Sequence, residues 1–134
     1  MKRYRRSKAR ILFVEDDEFA RTLVSTKLEV WGYKPESAST MSDAVKLIEN
    51  GKYDLILLDW YFEDGTGIEL CEMIRSFDTE TPILFYTGVS LEAKLEKARK
   101  AGAQGFIGKP IEMDDFVKAV RKYVHKHKVP GKGK

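Results

Sequence analysis

Cysteine is nearly missing from this chain: its 134 residues contain one, Cys71. That excludes an internal disulfide and a cysteine metal cluster. Long apolar runs are missing too. None approaches the roughly 18 residues that a membrane-spanning helix needs. The apolar stretch behind the basic first ten residues, residues 11–14, is too short for the core of a secretion signal. The reading is a cytoplasmic protein with no membrane attachment. Between residues 10 and 125 there is no repeat and no Pro/Gly/Ser-rich linker, so the chain reads as one domain. Acidic residues are absent from both ends. Six of the first ten residues and six of the last fourteen are Lys or Arg, which leaves twelve basic residues against all twenty-one acidic ones in between. The net charge of +3 therefore conceals an acidic body with two basic ends. Neither end has the aromatic interleaving of a single-strand binder. Residues 1–9 and 126–134 are accordingly read as solvated tails around a domain at 10–125, and nucleic acid is not expected as their partner.

What the chain does have is alternation. "RILFV" (10–14), "YDLILLD" (53–59), "PILFYT" (82–87) and "GFIG" (105–108) are short apolar runs without a polar face, as expected of strands covered on both sides. "YKPESAS" (33–39) is a weaker strand, and Pro35 places it near an edge. Amphipathic segments separate them. Phe19, Leu23, Val24 and Leu28 recur at helical spacing over 17–31, and Gly32 stops that helix. Ser42 is placed as the cap of a helix with Ala44, Leu47 and Ile48 inward. Residues 66–77 put Ile68, Cys71 and Ile74 on one face, which makes Cys71 a small core residue. Ser90 is placed as the cap of a helix carrying Leu91, Leu95 and Ala98. A last helix after Pro110 turns Phe116, Val120 and Tyr123 inward and fades before Pro130. Five successive βα units predict an α/β fold with a five-stranded parallel sheet, helices on both faces and the doubly wound order 2-1-3-4-5. Ligands of such sheets bind beyond the carboxyl ends of the strands, where strands 1 and 3 adjoin.

Chemistry-bearing residues stand at those ends. Strand 1 runs into "EDDE", with Glu15 and Asp16 at its tip. Strand 3 ends on Asp59, strand 4 on Thr87, and Lys109 follows strand 5. Carboxylates at close range repel one another unless a cation lies between them. Mg2+ suits such a site because it takes one or two carboxylates and keeps positions for phosphate oxygens. A carboxylate can itself be a nucleophile, and Lys109 with Thr87 could neutralise a phosphoryl group placed on Asp59. An Asp at a strand end is often only a turn former, and acids suit the first turn of a helix. Here such residues fall at the ends of four strands of one fold.

The stretches "ILFVEDDE", "LILLDWYFEDGTGIEL", "PILFYTG" and "KARKAGAQGFIGKPI", at their spacing, resemble the receiver domain of bacterial two-component response regulators over roughly residues 9–125. The resemblance carries a flavodoxin-like fold and the same strand order. It implies Asp59 as phosphoacceptor, Asp16 as a direct Mg2+ ligand, Glu15 acting through water and the Tyr61 carbonyl as a further ligand. It implies Thr87 and Lys109 on the phosphoryl oxygens, a cis Lys109–Pro110 peptide, and Thr87 with Phe106 as the switch pair. The donor would be a sensor histidine kinase or a phosphotransfer protein, and a downstream partner would read the fourth helix, fifth strand and fifth helix. A homodimer is left open. The chain would be a signalling phosphoacceptor and not an enzyme. It departs from the family pattern in carrying Glu63 and Asp64 where a proline-glycine turn is common, in the aromatic run Trp60–Tyr61–Phe62, and in Phe106, which lacks a tyrosine hydroxyl. Three other readings stand beside this one. "FEDGT" (62–66) is similar to a phosphohydrolase box but has Phe62 where that box needs Asp. A flavodoxin-like cofactor binder lacks a phosphate loop after strand 1. A phosphorylation-independent scaffold would not need the acidic pair, Asp59, Thr87 and Lys109.

Overall fold

Each strand of the sheet ends at the same edge, and that edge carries the site. The computed structural model describes residues 9–88 and 92–133, with side chains for 9–88 and 94–124. The elements in chain order are β1 (Arg10–Val14), α1 (Glu18–Val30), β2 (Lys34–Ala38), α2 (Met41–Asn50), β3 (Leu55–Leu58), β4 (Tyr61–Phe62), β5 (Gly65–Thr66), α3 (Gly67–Arg75), β6 (Ile83–Thr87), α4 (Glu92–Ala101), β7 (Gly105–Gly108) and α5 (Met113–Gly133). The five-stranded sheet has the order β2-β1-β3-β6-β7, all neighbours parallel. Counting its strands alone, this is the expected 2-1-3-4-5. The weak strand with Pro35 is an edge strand, as the missing amide donor requires.

Two apolar clusters, one on each face of the sheet, explain the unbroken apolar runs. Leu12, Val14, Ile56, Leu58 and Phe85 pack with α2, α3 and α4 residues. Ile11, Phe13, Leu55, Leu57 and Leu84 pack with Val24 and Leu28 of α1 and with Phe116, Val117, Val120 and Val124 of α5. Successive side chains point to opposite faces, so a strand covered by helices on both sides shows no polar position.

Several local expectations change. Phe19 and Leu23 are 75% and 45% exposed, so the buried stripe of α1 is Val24 and Leu28. The cap of α2 is Thr40, whose Oγ1 accepts from the Asp43 amide at 3.1 Å, and Ser42 lies inside the helix. In α4 Ala98 is buried but Leu95 is 39% exposed. Ser90 and Leu91 lie outside the described residues. Leu70, not singled out from the sequence, is fully buried with Cys71 and Ile74. The α5 backbone stays helical to Gly133, past Pro130. Proline keeps a helical φ and forfeits one hydrogen bond, so it weakens a helix without forbidding it. Gly32 ends α1 as expected, with φ +93° and the Tyr33 amide donating to the Leu28 carbonyl at 3.0 Å. That left-handed turn favours glycine.

Arg75, at the end of α3, ties three segments together. Its guanidinium donates to the Gly102, Asp78 and Thr81 carbonyls and to Gln104 Oε1 at 2.8–2.9 Å. Gln104 Oε1 also accepts from the Ile83 amide at 2.8 Å, which fixes the start of β6. Arg75→Ala removes all four hydrogen bonds, three of them partly buried. It is expected to cost about 2 kcal/mol, read as a lower denaturant midpoint at unchanged m-value. An unchanged midpoint would show that water replaces the guanidinium without penalty.

Candidate functional site

The register of β1 on β3 decides what meets at the crevice. Val14 pairs with Leu58, so the next residues, Glu15 and Asp59, leave the sheet side by side. The Asp59 amide donates to the Val14 carbonyl at 3.1 Å, and the Glu15 amide to the Ala38 carbonyl at 3.0 Å, so both backbones remain held by the ladder. Carboxylate oxygens of Glu15, Asp16 and Asp59 lie within 4.8 Å of one another. Glu15 is buried, Asp59 half-buried and Asp16 exposed. Burial pushes the Glu15 carboxyl above its ordinary value. Repulsion from Asp59 adds to this, while the Asp17 amide and the Lys109 ammonium pull the other way.

Lys109 Nζ sits 3.3 Å from Glu15 Oε1 and 4.7 Å above the Tyr86 ring. It thus lies over the crevice with a carboxylate on one side and an aromatic face on the other. The Lys109–Pro110 peptide is cis, as the resemblance implied. The Lys109 amide donates to the Thr87 carbonyl at 3.0 Å, which joins the ends of β6 and β7. Thr87 is 2% exposed at the end of β6. The four sequence-predicted strand ends therefore converge on one edge.

The loop after Asp59 is not a plain turn. The Trp60 amide donates to Asp59 Oδ1 at 2.7 Å and so orients the carboxylate. Tyr61 and Phe62 pair antiparallel with Gly65 and Thr66, a small ribbon that the sequence did not announce. Trp60 and Phe62 are buried in the α2–α3–α4 cluster, whereas Tyr61 is 57% exposed. Two of the three aromatics thus pack inward and one faces out. Trp60 meets Phe85 at 5.1 Å between ring centroids, and Phe85 stacks on Phe106 at 6.4 Å. Phe106 is half-buried. A row of aromatics therefore leads from the residue after Asp59 to β7. Lys94 of α4 lies over its first member, 5.0 Å from the Trp60 ring.

Three contributors were not found from the sequence. Arg21 donates from Nη1 to the Glu15 carbonyl at 2.9 Å and braces the acidic turn. Its signal was a cation one turn into the helix after an acidic strand end. Tyr86 supplies the ring beneath Lys109 and carries no local signal. Asp64 accepts from the Met41 and Ser42 amides at 2.9 and 3.2 Å, which anchors the loop after Asp59 to the start of α2. Those amides, Met41's first, hold the Asp64 carboxyl below its ordinary value. This gives a structural role to an acid standing where the family pattern often has a turn residue.

A family model described as Response regulator receiver domain matches residues 11–121. The chain is 33% identical to the Chemotaxis protein CheY of Halobacterium salinarum over 82% of its own length and 92% of that protein. It is 31% identical to the Transcriptional regulatory protein DltR of Streptococcus agalactiae over 84% of its length, but spans only 50% of that relative. Among solved structures, the non-phosphorylated HemR receiver domain from Leptospira biflexa aligns with a TM-score of 0.82 and 34% identity, covering 87% of this chain and 94% of that one. A CheY-like receiver domain protein from Methanospirillum hungatei aligns with a TM-score of 0.87 and 27% identity, covering 92% and 99%.

Proposed function

The chain belongs to the response regulator receiver domain family of two-component systems, and on that premise we propose that Asp59 is its phosphoacceptor. The observation that carries the reading is the convergence of the Glu15, Asp16 and Asp59 carboxylates beneath the Lys109 ammonium. The donor is a phosphohistidine of a sensor histidine kinase or a phosphotransfer protein. An Asp59 carboxylate oxygen attacks phosphorus in line. The bond from phosphorus to the donor's imidazole nitrogen breaks, and that nitrogen keeps the electron pair and takes up a proton. Lys109 and the Thr87 hydroxyl receive the phosphoryl oxygens, and the Trp60 amide holds the attacking carboxylate in place.

Three hard oxygen donors within 4.8 Å of one another fit a divalent cation. Glu15, Asp16 and Asp59 would hold Mg2+, with the Tyr61 carbonyl as a further ligand. Bound there, the ion supplies positive charge to a crevice that otherwise presents carboxylates to an anionic donor. We assign the chain as a signalling phosphoacceptor and not a turnover enzyme. Its domain is placed at residues 10–125, and its place of action in the cytoplasm. The described residues hold no helix long and apolar enough to cross a membrane.

The output proposed is a population shift. Thr87 moving toward the phosphoryl group opens space for Phe106, and the face formed by α4, β7 and α5 changes for a downstream protein or a second copy of the chain. Phe106 already stacks on Phe85, so its contribution is packing alone. The experiment is Mg2+ titration followed by Trp60 fluorescence, since Trp60 is 4% exposed and bonded through its amide to Asp59. Asp16→Ala is expected to weaken Mg2+ binding by more than about tenfold and to slow phosphorylation, with the fold intact. Unchanged Mg2+ affinity would remove Asp16 from the metal set.

A further inference from the structure

We infer that the edge of the sheet opposite Asp59 binds double-stranded nucleic acid through its phosphates. Read from the sequence alone, the basic ends are solvated tails; the continuous helix α5 changes that reading. This helix descends beside α1, with Lys27 paired to Asp114 at 3.0 Å and the Arg121 guanidinium 5.8 Å from the Trp31 ring centroid. Val124 shares an apolar cluster with Ala9, the residue before β1. From Met113 to Val124 the helix descends about 17 Å, about the length of a five-residue strand, which brings it to the edge where β1 begins. Its backbone continues helical to Gly133, which at about 1.5 Å per residue carries it about 14 Å further.

Charge follows that path. Lys118, Arg121 and Lys122 are exposed, at the three- and four-residue spacing that lines up one helix face. The sequence repeats the spacing with His125, Lys128 and Lys132, and no acidic residue follows Asp115. β1 begins at that edge, and the sequence before it carries Lys2, Arg3, Arg5, Arg6 and Lys8. The clustered carboxylates stand at the far ends of the strands. A line of cations along a helix complements a line of phosphates. Residues 118–134 contain no Trp, Phe, Leu, Ile or Met, so this stretch of helix brings no bulky apolar anchor of its own for a lipid surface. A duplex bound here would leave the acidic crevice pointing away and open to a phosphodonor.

The test uses the full chain and a short fluorescently labelled DNA duplex of arbitrary sequence. Anisotropy is followed across a salt series for wild type and for the combined Lys118→Gln, Arg121→Gln, Lys122→Gln variant. Wild type should bind at low salt, with log affinity falling linearly against log salt. The variant should lose affinity and show a slope shallower by about 2–3. Its labelling by acetyl phosphate should match wild type, because none of the three residues touches the site, and a cooperative thermal transition should show that it is folded. Absence of duplex binding at low salt would overturn the inference, as would an unchanged slope in the variant. Tighter binding to anionic phospholipid vesicles, lost in the same variant, would overturn it in favour of a membrane. Each of these outcomes is independent of whether Asp59 accepts phosphate.

Discussion

Asp59→Asn is expected to gain no phosphoryl mass under conditions in which wild type gains one. The substitution changes little else. An Asn side-chain oxygen can still accept the Trp60 amide bond that holds the carboxylate at 2.7 Å, and the residue remains half-buried at the end of β3. What is lost is the anionic oxygen that attacks phosphorus, for which a neutral amide is no substitute. Removing one of three clustered carboxylates also relieves repulsion on Glu15, part of what pushes that carboxyl up. The variant should therefore be at least as stable as wild type without Mg2+. Intact-mass measurement reads the first effect and thermal unfolding the second. Labelling of Asp59→Asn at the wild-type rate would move the acceptor elsewhere. Loss of labelling together with loss of the fold would leave the stability expectation wrong.

Gly67→Ala should have the largest structural effect of any single methyl group added near the site. A Cβ at Gly67 would lie 2.2 Å from the Asp59 carbonyl oxygen and 2.6 Å from Phe85 Cε2. The first contact is backbone and cannot rotate away. The Gly67 amide also donates to the Trp60 carbonyl at 2.7 Å, so the start of α3 is drawn against the loop it would push. Overpacking of this kind costs about 3 kcal/mol. Relief requires the Asp59 backbone to shift, and misplacing a reacting group by about 1 Å can cost about a hundredfold in rate. Gly88→Ala is the control, because its nearest contact is Lys109 Cβ at 3.9 Å. Chemical denaturation and the acetyl phosphate labelling rate should both fall for Gly67→Ala and both hold for Gly88→Ala. A stable, fully active Gly67→Ala protein would show that the loop is not pinned at this point.

The sheet was legible in the sequence because its strands are covered on both faces. Leu55 to Leu58 are all at most 1% exposed, and no polar residue interrupts them. Strand-end residues were legible for the same reason: parallel strands put all their carboxyl ends at one edge, so Glu15, Asp16, Asp59, Thr87 and Lys109 had to share it. Helix faces were less so. In α1 the positions 19, 23 and 30 and the positions 20, 24 and 28 are both stripes at helical spacing. Only the docking of the helix on the sheet chooses the second, leaving Phe19 and Val30 outside. The cap of α2 was read as Ser42, two residues too far along; the extended residue after β2 that accepts from the Asp43 amide is Thr40. Arg21, Tyr86, Asp64 and the Arg75 clamp work through contacts with backbone or rings that local pattern does not specify. Apart from Arg21, whose place one turn after the acidic strand end was a signal, their residue types gave no sign of the partners they find.

The central claim is a covalent bond to one carboxylate, and reductive trapping tests it most directly. The full chain is incubated with Mg2+ and acetyl phosphate, reduced with borohydride and digested. An acyl phosphate is reduced to the alcohol, so an aspartyl phosphate becomes homoserine. The account predicts homoserine at position 59 alone, and none when Mg2+ is chelated. Conversion at position 16, or none at all in protein shown to be folded and to bind Mg2+, would contradict it.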